Sequence, residues 1–435
     1  MPRLGRSPLW RNPAFVRVWL AATISVFGSY VTGIALPFVA ILVLGAGPLE
    51  IAAIGMVELG ATLLVGFVAG AWVDRLRRRP ILIWADLGRA ALLASIPVAF
   101  IAGVLSIEQL VLVAFLASVL TTFFDSADNA YLPTVVEREQ LVEANGALAA
   151  SGSAAELSAF GIAGLLIQAL TAPIAILVDA ASFVVSAVLL GSIRRAEPDP
   201  PPRAGREPVL AEIREGLRLV IGDPFLRPFA AARMALAGMY GVFGGIWLLY
   251  AVNELELGPA PIGLIAGVGG FASLLGAAAT ARAIRRWGVG RVAAGALALT
   301  AIGNFFIPLA PAGAPLVAAA CLVVAQLVGD SAATVYEVTE TSVRQTLVDS
   351  RALGRVGSTF LVADVFVQLL AMFFGALLAE AAGLRAAAAI APFGAVLAAA
   401  ILWASPARRL FVLPTAPRPD ELGEQGGDER VGVER

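Results

Sequence analysis

The chain has no histidine and no lysine; all 31 of its basic residues are arginine. That double absence removes a Walker A lysine, a Schiff-base lysine, a histidine-containing triad and an HExxH zinc helix. Cys321 is the single cysteine and sits inside an apolar run, so an intrachain disulfide is impossible and a thiol–metal site has no second thiol. Charge is scarce as well: charged residues make up 14%, against 59% hydrophobic, and mean hydropathy is +0.85. Soluble domains carry about a quarter charged residues. The net charge of −1 offers no basic surplus for phosphates, which argues against a nucleic-acid partner. The Gly267-Val268-Gly269-Gly270 run has no strand before it and reads as helix packing rather than a nucleotide fingerprint. No cofactor or metal is expected.

The arginines are distributed as informatively as the missing residues. All but Arg89, Arg233 and Arg385 fall at the termini or in the connections 74–80, 131–145, 194–227, 282–291 and 337–355. The alternate connections, near 45–50, 104–109, 170–173, 251–260 and 309–315, carry none. Cationic loops stay on the cytoplasmic side, so the pattern predicts a multi-pass inner-membrane protein with both termini cytoplasmic. Twelve spans fit: 15–44, 49–73, 80–103, 107–130, 145–169, 172–193, 226–250, 260–282, 289–309, 314–336, 354–379 and 384–405. About twenty residues at 1.5 Å each cover the hydrocarbon core. The first run is too long for a cleaved signal and has length to spare, which predicts a tilt or a break near Pro37. The domains expected are an N-terminal six-helix bundle (1–193), a cytoplasmic linker (194–225), a C-terminal bundle (226–405) and a disordered cytoplasmic tail (406–435). Within the linker, Leu210, Ile213, Leu217 and Val220 recur at helical spacing opposite Glu212, Arg214, Glu215 and Arg218, predicting an amphipathic helix on the membrane interface.

Asp125-Ser126-Ala127 in span 4 recurs as Asp330-Ser331-Ala332 in span 10, each copy followed by a polar stretch and a Gly-containing span. The connection after span 2 reads Gly70-Ala71-Trp72-Val73-Asp74-Arg75-Leu76-Arg77-Arg78-Arg79. It resembles the G-x-x-x-D-R-x-G-R-R signature of the major facilitator superfamily, with Arg77 in place of the second glycine. The run Phe123-Phe124-Asp125-Ser126-Ala127-Asp128-Asn129-Ala130-Tyr131-Leu132-Pro133, then Leu141-Val142-Glu143-Ala144-Asn145-Gly146, is similar to a segment of that family's drug and siderophore efflux branch, which contains the enterobactin exporter and macrolide efflux proteins. The resemblance implies an all-α fold of two pseudo-symmetric six-helix bundles, a parallel repeat working by alternating access. It implies a monomeric secondary transporter, not an enzyme, that exports a hydrophobic or amphipathic small molecule in exchange for protons. An uncoupled facilitator or importer of a small metabolite, or a lipid translocator, stays open: span 4 lacks the arginine associated with proton coupling, and Gly161-Ile162-Ala163-Gly164 stands where exporters often carry Gly-Pro.

Within this frame the polar residues of the spans become candidates. Gly70, Asp74, Arg75, Arg78 and Arg79 form either a conformational latch, with Asp74 facing the positive N-terminal end of span 11, or a cationic topology anchor. Asp86 and Arg89, three apart, read as a structural pair. A charge at mid-bilayer costs about 2.5–3.5 kcal/mol, so acids there face a partner or a cavity. Glu58, about 12–14 Å from the outer end of span 2, Asp364, about 15 Å from the inner end of span 11, and Glu156, about 16 Å along span 5, are such acids. Spans 2 and 11 adjoin in the resembled fold, so Glu58 and Asp364 are expected to approach each other. Each acid either binds a proton or cationic group or only fixes packing. Arg233 either neutralises one of them, receives an anionic group, or snorkels to the inner surface. Asp179 and Asp330 are read as structural, near span ends. Tyr30, Tyr240 and Phe243 are candidates for the substrate cavity, and Trp247 and Tyr250 for an aromatic belt. The Gly66–Gly70, Gly241–Gly245 and Gly263–Gly267 pairs have the spacing that lets helices cross closely.

Overall fold

In the computed structural model, which describes residues 8–73, 75–194, 197, 209–349 and 352–411 (side chains at 67, 68, 70, 71 and 209–213 excepted), every predicted apolar run is helical. One half comprises α1 (Pro13–Leu42), α2 (Pro48–Val73), α3 (Arg78–Ile101), α4 (Ile107–Val135), α5 (Leu141–Leu170) and α6 (Ala172–Gly191). A short α7 (Val209–Gly222) precedes the other half. That half runs through α8 (Leu226–Asn253), α9 (Pro259–Trp287), α10 (Val289–Leu309), α11 (Pro315–Ala325), α12 (Ser331–Leu347), α13 (Leu353–Ala382), α14 (Leu384–Ile390) and α15 (Phe393–Ala404). Among the described residues, twelve helical spans are long and apolar enough to cross a bilayer, α11–α12 and α14–α15 each counting as one.

Local chemistry sets the helix ends. Asn12 accepts hydrogen bonds from the amides of Ala14 and Phe15, and its own side-chain amide donates to Val135 O at 2.9 Å, so one residue caps α1 and ties it to the end of α4. Ser106 caps α4 by accepting from Gln109 N. Prolines 13, 48, 259 and 315 occupy first helical positions, where no amide is needed. Gly383, at φ +91°, turns the chain between α13 and α14 in a region that other residues enter only with strain.

The two halves pack alike. The pairs α1–α6, α3–α6, α2–α4, α1–α5 and α3–α4 recur as α8–α15, α10–α15, α9–α12, α8–α13 and α10–α12. Across the halves α5 meets α9 and α2 meets α13, and the same repeat exchanges these two contacts. The close approaches lie from mid-depth to the arginine-poor end. An added Cβ on Gly263 would fall 2.5 Å from Phe160 O and 2.8 Å from the Gly164 Cα, so the α5–α9 crossing requires glycine. On the other side Ala52 of α2 packs with Met372 and Ala376 of α13. Gly241, against Gln368 O, and Gly245, against Met372, seat α8 on α13.

Several expectations are corrected. Of the tilt or break expected near Pro37, the break does not occur: Pro37 lies inside an unbroken α1. Span 10 does not end near 336: it passes through a π-turn at Gln326–Asp330 and continues to Leu347. Asp330 is therefore mid-helix rather than near a span end. Span 12 is interrupted after Ile390, before Phe393. The amphipathic helix forms as Val209–Gly222 and, in addition, docks on α13. Its Gly216 abuts Arg355 O and Thr359 of α13, Glu215 pairs with Arg355 at 2.7 Å, and Val220 joins Val348, Val356 and Phe360 in a small core. Asp74, most of the linker before α7, and the tail beyond 411 lie outside the described residues.

Candidate functional site

The second half holds a polar cluster at mid-depth, built on three helices. Arg233, two turns into α8, donates through Nε to Asp364 Oδ1 at 2.8 Å and through Nη2 to Oδ2 at 3.4 Å. Its Nη1 reaches Glu337 Oε1 of α12 at 3.4 Å. Gln368, one turn above Asp364, donates to Oδ2 at 2.8 Å. The two carboxylates are thus held differently: the Asp364 side chain is 12% exposed and bound by two residues, that of Glu337 is 44% exposed and bound weakly by one. Glu340, one turn further along α12, pairs with Arg344 at 3.5 Å. Tyr240 lies within electrostatic reach of Glu337, Asp330 and Arg233. At the π-turn, Gln326 and Asp330 both aim at the bare backbone of Gly269 on α9, and Ser331 donates to Ala272 O at 2.8 Å. A π-turn re-aims side chains that a regular helix would send elsewhere. Carboxylates outnumber guanidinium groups here, so the cluster attracts cations.

Arg233 is thus paired with Asp364 and, more loosely, with Glu337. The expected approach of Glu58 to Asp364 does not occur. Asp364 is occupied by Arg233 and Gln368, while Glu58 shares a pocket with Met372, eight residues farther along α13. Eight residues of helix are about 12 Å. Phe243 is buried at 8% exposure, and Tyr250 is no belt residue: it is fully buried and donates to Ile307 O at 3.2 Å. Arg385, the exceptional arginine at the arginine-poor end, donates to the carbonyls of Pro308 and Ala310.

In the first half, Tyr30 stacks edge-on to Phe160 and faces the Glu156 carboxylate. Asp86 and Arg89 do pair, at 2.5 Å, with the guanidinium between the rings of Phe124 and Phe183 at 4.4 and 4.0 Å. Asp179, 1% exposed, is bound by Ser182 against Gly28. A groove of about 500 Å³ runs between α1, α5 and α6, but its hydroxyls at Thr23, Ser151, Ser158 and Ser182 are spent on their own helices.

Of the signature residues, Arg75 is exposed, while Arg78 and Arg79 turn to their own half. Glu197 accepts from the backbone amides of Arg78 and Arg79 at 2.6 and 3.1 Å, capping α3 with a carboxylate. Arg79 donates to Leu190 O at 2.9 Å and to Gly191 O, satisfying the last carbonyls of α6. Asp74 and the surroundings of Gly70 are outside the described residues.

Glu337, Glu340 and Gln368 were not among the sequence candidates. The first two fall where hydropathy drops, in what reads as a connection. Gln368 carries no charge to attract notice. The signal available for Glu337 was its seven-residue spacing from Asp330, which places both on one helical face.

Comparison with known proteins agrees with this architecture. The family model described as Major Facilitator Superfamily matches residues 18–337. The multidrug efflux pump Tap of Mycolicibacterium fortuitum is 30% identical over 390 residues, 86% of this chain and 91% of the pump. Among solved structures, a bacterial homologue of the iron transporter ferroportin in its inward-facing state superposes with TM-score 0.70 at 19% identity, covering 91% of this chain and 99% of that one. The nucleoside transporter NupG gives 0.72 at 12% identity, covering 90% and 98%. Matched over most of its length by the family model, and folded as two helical halves exchanged by a repeat, the chain belongs to the major facilitator superfamily and is a multi-pass membrane transporter.

Proposed function

We propose that the protein exports hydrophobic or amphipathic small molecules carrying positive charge, in exchange for protons, with the cluster of Arg233, Glu337 and Asp364 as the exchange site. The observation that carries this reading is one guanidinium bridging a tightly held and a loosely held carboxylate. In this scheme Asp364 keeps Arg233 neutralised throughout the cycle. Glu337 is the exchangeable group: it binds either a proton or the cationic end of a substrate, and the two compete. Tyr240 supplies an aromatic wall beside the carboxylate. With the arginine-poor end sealed, the exposed Glu337 would be reached from the arginine-rich side, which on the positive-inside rule is the cytoplasm, as are both termini. The protein acts as a monomer. Kinship with a multidrug efflux pump favours export and a broad substrate range. Lipid translocation is less well supported, because the groove between α1, α5 and α6 lies within a half and its hydroxyls at Thr23, Ser151, Ser158 and Ser182 are spent on their own helices.

The test uses full-length protein in proteoliposomes with tetraphenylphosphonium as probe. A pH gradient is expected to drive uptake by the unmodified protein, and Glu337→Gln to lower that uptake by at least about tenfold, the scale of a lost charge-assisted contact. Undiminished gradient-driven uptake by both Glu337→Gln and Asp364→Asn would overturn the assignment.

A further inference from the structure

The connections that follow the second helix of each half are related by the repeat, and they spend their arginines differently. In the first half Glu197, just past the end of α6, caps the start of α3 at the amides of Arg78 and Arg79. It also pairs with the Arg78 guanidinium at 3.7 Å, while Arg79 donates to Leu190 O and Gly191 O. In the second half the chain just past α15 returns to the start of α10, but it offers backbone instead of a carboxylate. Gly290 N donates to Leu410 O at 2.9 Å and Val289 N to Phe411 O at 3.4 Å. A Cβ on Gly290 would collide with Ala407 O, so glycine is what admits this close return.

The caps are equivalent, but the charge left over is not. Arg282, Arg285 and Arg286 near the end of α9, Arg291 in the first turn of α10, and Arg408 and Arg409 beside the returning chain gather at one place, all exposed. Among the described residues none of the six forms an ion pair; Arg408 donates to Trp403 O at 3.2 Å, and Arg286 lies over the Trp287 ring at 5.6 Å. The sequence has no acid between Glu256 and Asp330 or between Glu380 and Asp420. Other arginines at this end are interleaved with acids: Arg138 stands between Glu137 and Glu139, Arg214 beside Glu215. Large exposed rings frame the patch, Trp287 at 55%, Trp403 at 58% and Phe411 at 56%. Both tryptophans stand at the ends of membrane-crossing helices, the depth at which an indole sits between hydrocarbon and headgroups. Fixing orientation requires only cationic residues on this side, not their convergence on one turn or the absence of acids.

A ligand for this surface must be anionic, to meet the guanidinium groups, and must carry apolar chains, to cover the indoles. A phosphodiester accepts bidentate hydrogen bonds from arginine, and acyl chains below it would lie against the rings. The chain beyond Phe411 also carries acids, from Asp420 to Glu434, but these share it with Arg418, Arg430 and Arg435 and bring no acyl chain. We infer that the α9–α10 turn and the chain after α15 bind the headgroup of an anionic phospholipid, in the leaflet at the arginine-rich end. The phosphate lies among Arg285, Arg286 and Arg291, and the acyl chains lie along Trp287 and Trp403. The inference rests neither on the exchange site nor on the direction of transport, so each can fail separately.

The test adds equal amounts of dioleoylphosphatidylglycerol and dioleoylphosphatidylcholine to the full chain in dodecyl maltoside and counts bound lipid by native mass spectrometry. The two lipids share their acyl chains and differ in net headgroup charge. The unmodified protein is expected to retain phosphatidylglycerol at least about tenfold better, since each arginine near an anionic surface contributes about fivefold. Arg285→Gln/Arg286→Gln/Arg291→Gln is expected to abolish most of that preference; the three side chains have no ion pair to lose, so the variant should melt like its parent without lipid. Arg138→Gln/Arg214→Gln/Arg218→Gln, which removes the same charge elsewhere at this end, should keep it. Trp287→Ala should weaken retention of both lipids and leave the preference. Equal retention of the two lipids by the unmodified protein, or equal loss of preference in the two triple variants, would overturn the site. So would displacement of the lipid by an equal concentration of inorganic phosphate, which would mark a free-anion site. A rise in retention of more than about tenfold after Asp420→Asn/Glu421→Gln/Glu424→Gln would make the chain beyond Phe411 the occupant and likewise overturn it.

Discussion

Arg233 illustrates how one residue's role depends on what is left behind when its partner goes. Its pair with Asp364 lies inside a span, where an unpaired charge costs more than a pair contributes. Fully buried pairs lose about 3–5 kcal/mol when one member is removed. Arg233 is a quarter exposed and retains Glu337, so Asp364→Leu should cost less, about 1–3 kcal/mol. Adding Arg233→Leu removes the stranded charge and should recover most of that loss. Melting of the purified variants in detergent checks both values. Transport should remain absent in the double variant, which separates the pair's contribution to folding from its contribution to exchange. A double variant melting no higher than Asp364→Leu would mean that Arg233 was never stranded.

At the level of helices, what the sequence discloses is where the chain is apolar, and what it conceals is where helices stop. Twelve spans are legible because length and hydropathy report the bilayer directly. Their ends are not, because a helix needs only backbone hydrogen bonds and caps and runs on into the polar zone. Span 10 is the instructive case. Read by hydropathy it closes near 336, yet the helix continues to Leu347 and carries Glu337 and Glu340 with it. The same reading makes Asp330 peripheral when it stands at the π-turn. The pairing of Arg233 with Asp364 was also beyond reach, since 131 residues separate them and only the packing of α8 on α13 brings them together.

The amphipathic α7 was recognisable from periodicity, but its docking surface was not. Two contacts compete to explain that docking. The Glu215–Arg355 pair is at least one-third exposed on both sides, and exposed pairs contribute about 0–1 kcal/mol. Gly216 lets the α7 backbone lie directly on α13, and an added Cβ would fall 2.5 Å from Arg355 O, against backbone that cannot swing aside. The glycine should decide. Glu215→Gln is expected to leave α7 protected from proteolysis, whereas Gly216→Leu should free it and lower transport several-fold, because α13 carries both Asp364 and Met372. Equal protection in the two variants would return the docking to the ion pair.

For the molecule as a whole, the repeat gives the two halves the same internal contacts, and in the proposed export cycle rocking would exchange one end's seal for the other's. The direction of transport then depends on which end faces the cytoplasm, and the arginines carry that information. Each cytoplasmic loop arginine keeps its charge out of the translocation path during insertion, so Arg75 should be inside and the connection around Val104 outside. In a Cys321→Ala background, Val104→Cys should react with an impermeant maleimide on intact cells. Arg75→Cys should react only after permeabilisation. Both positions are exposed, so failure to react reports sidedness rather than burial. The reverse pattern would turn the sealed end toward the cytoplasm. The exchange site would then be reached from outside, and the same geometry would describe an importer.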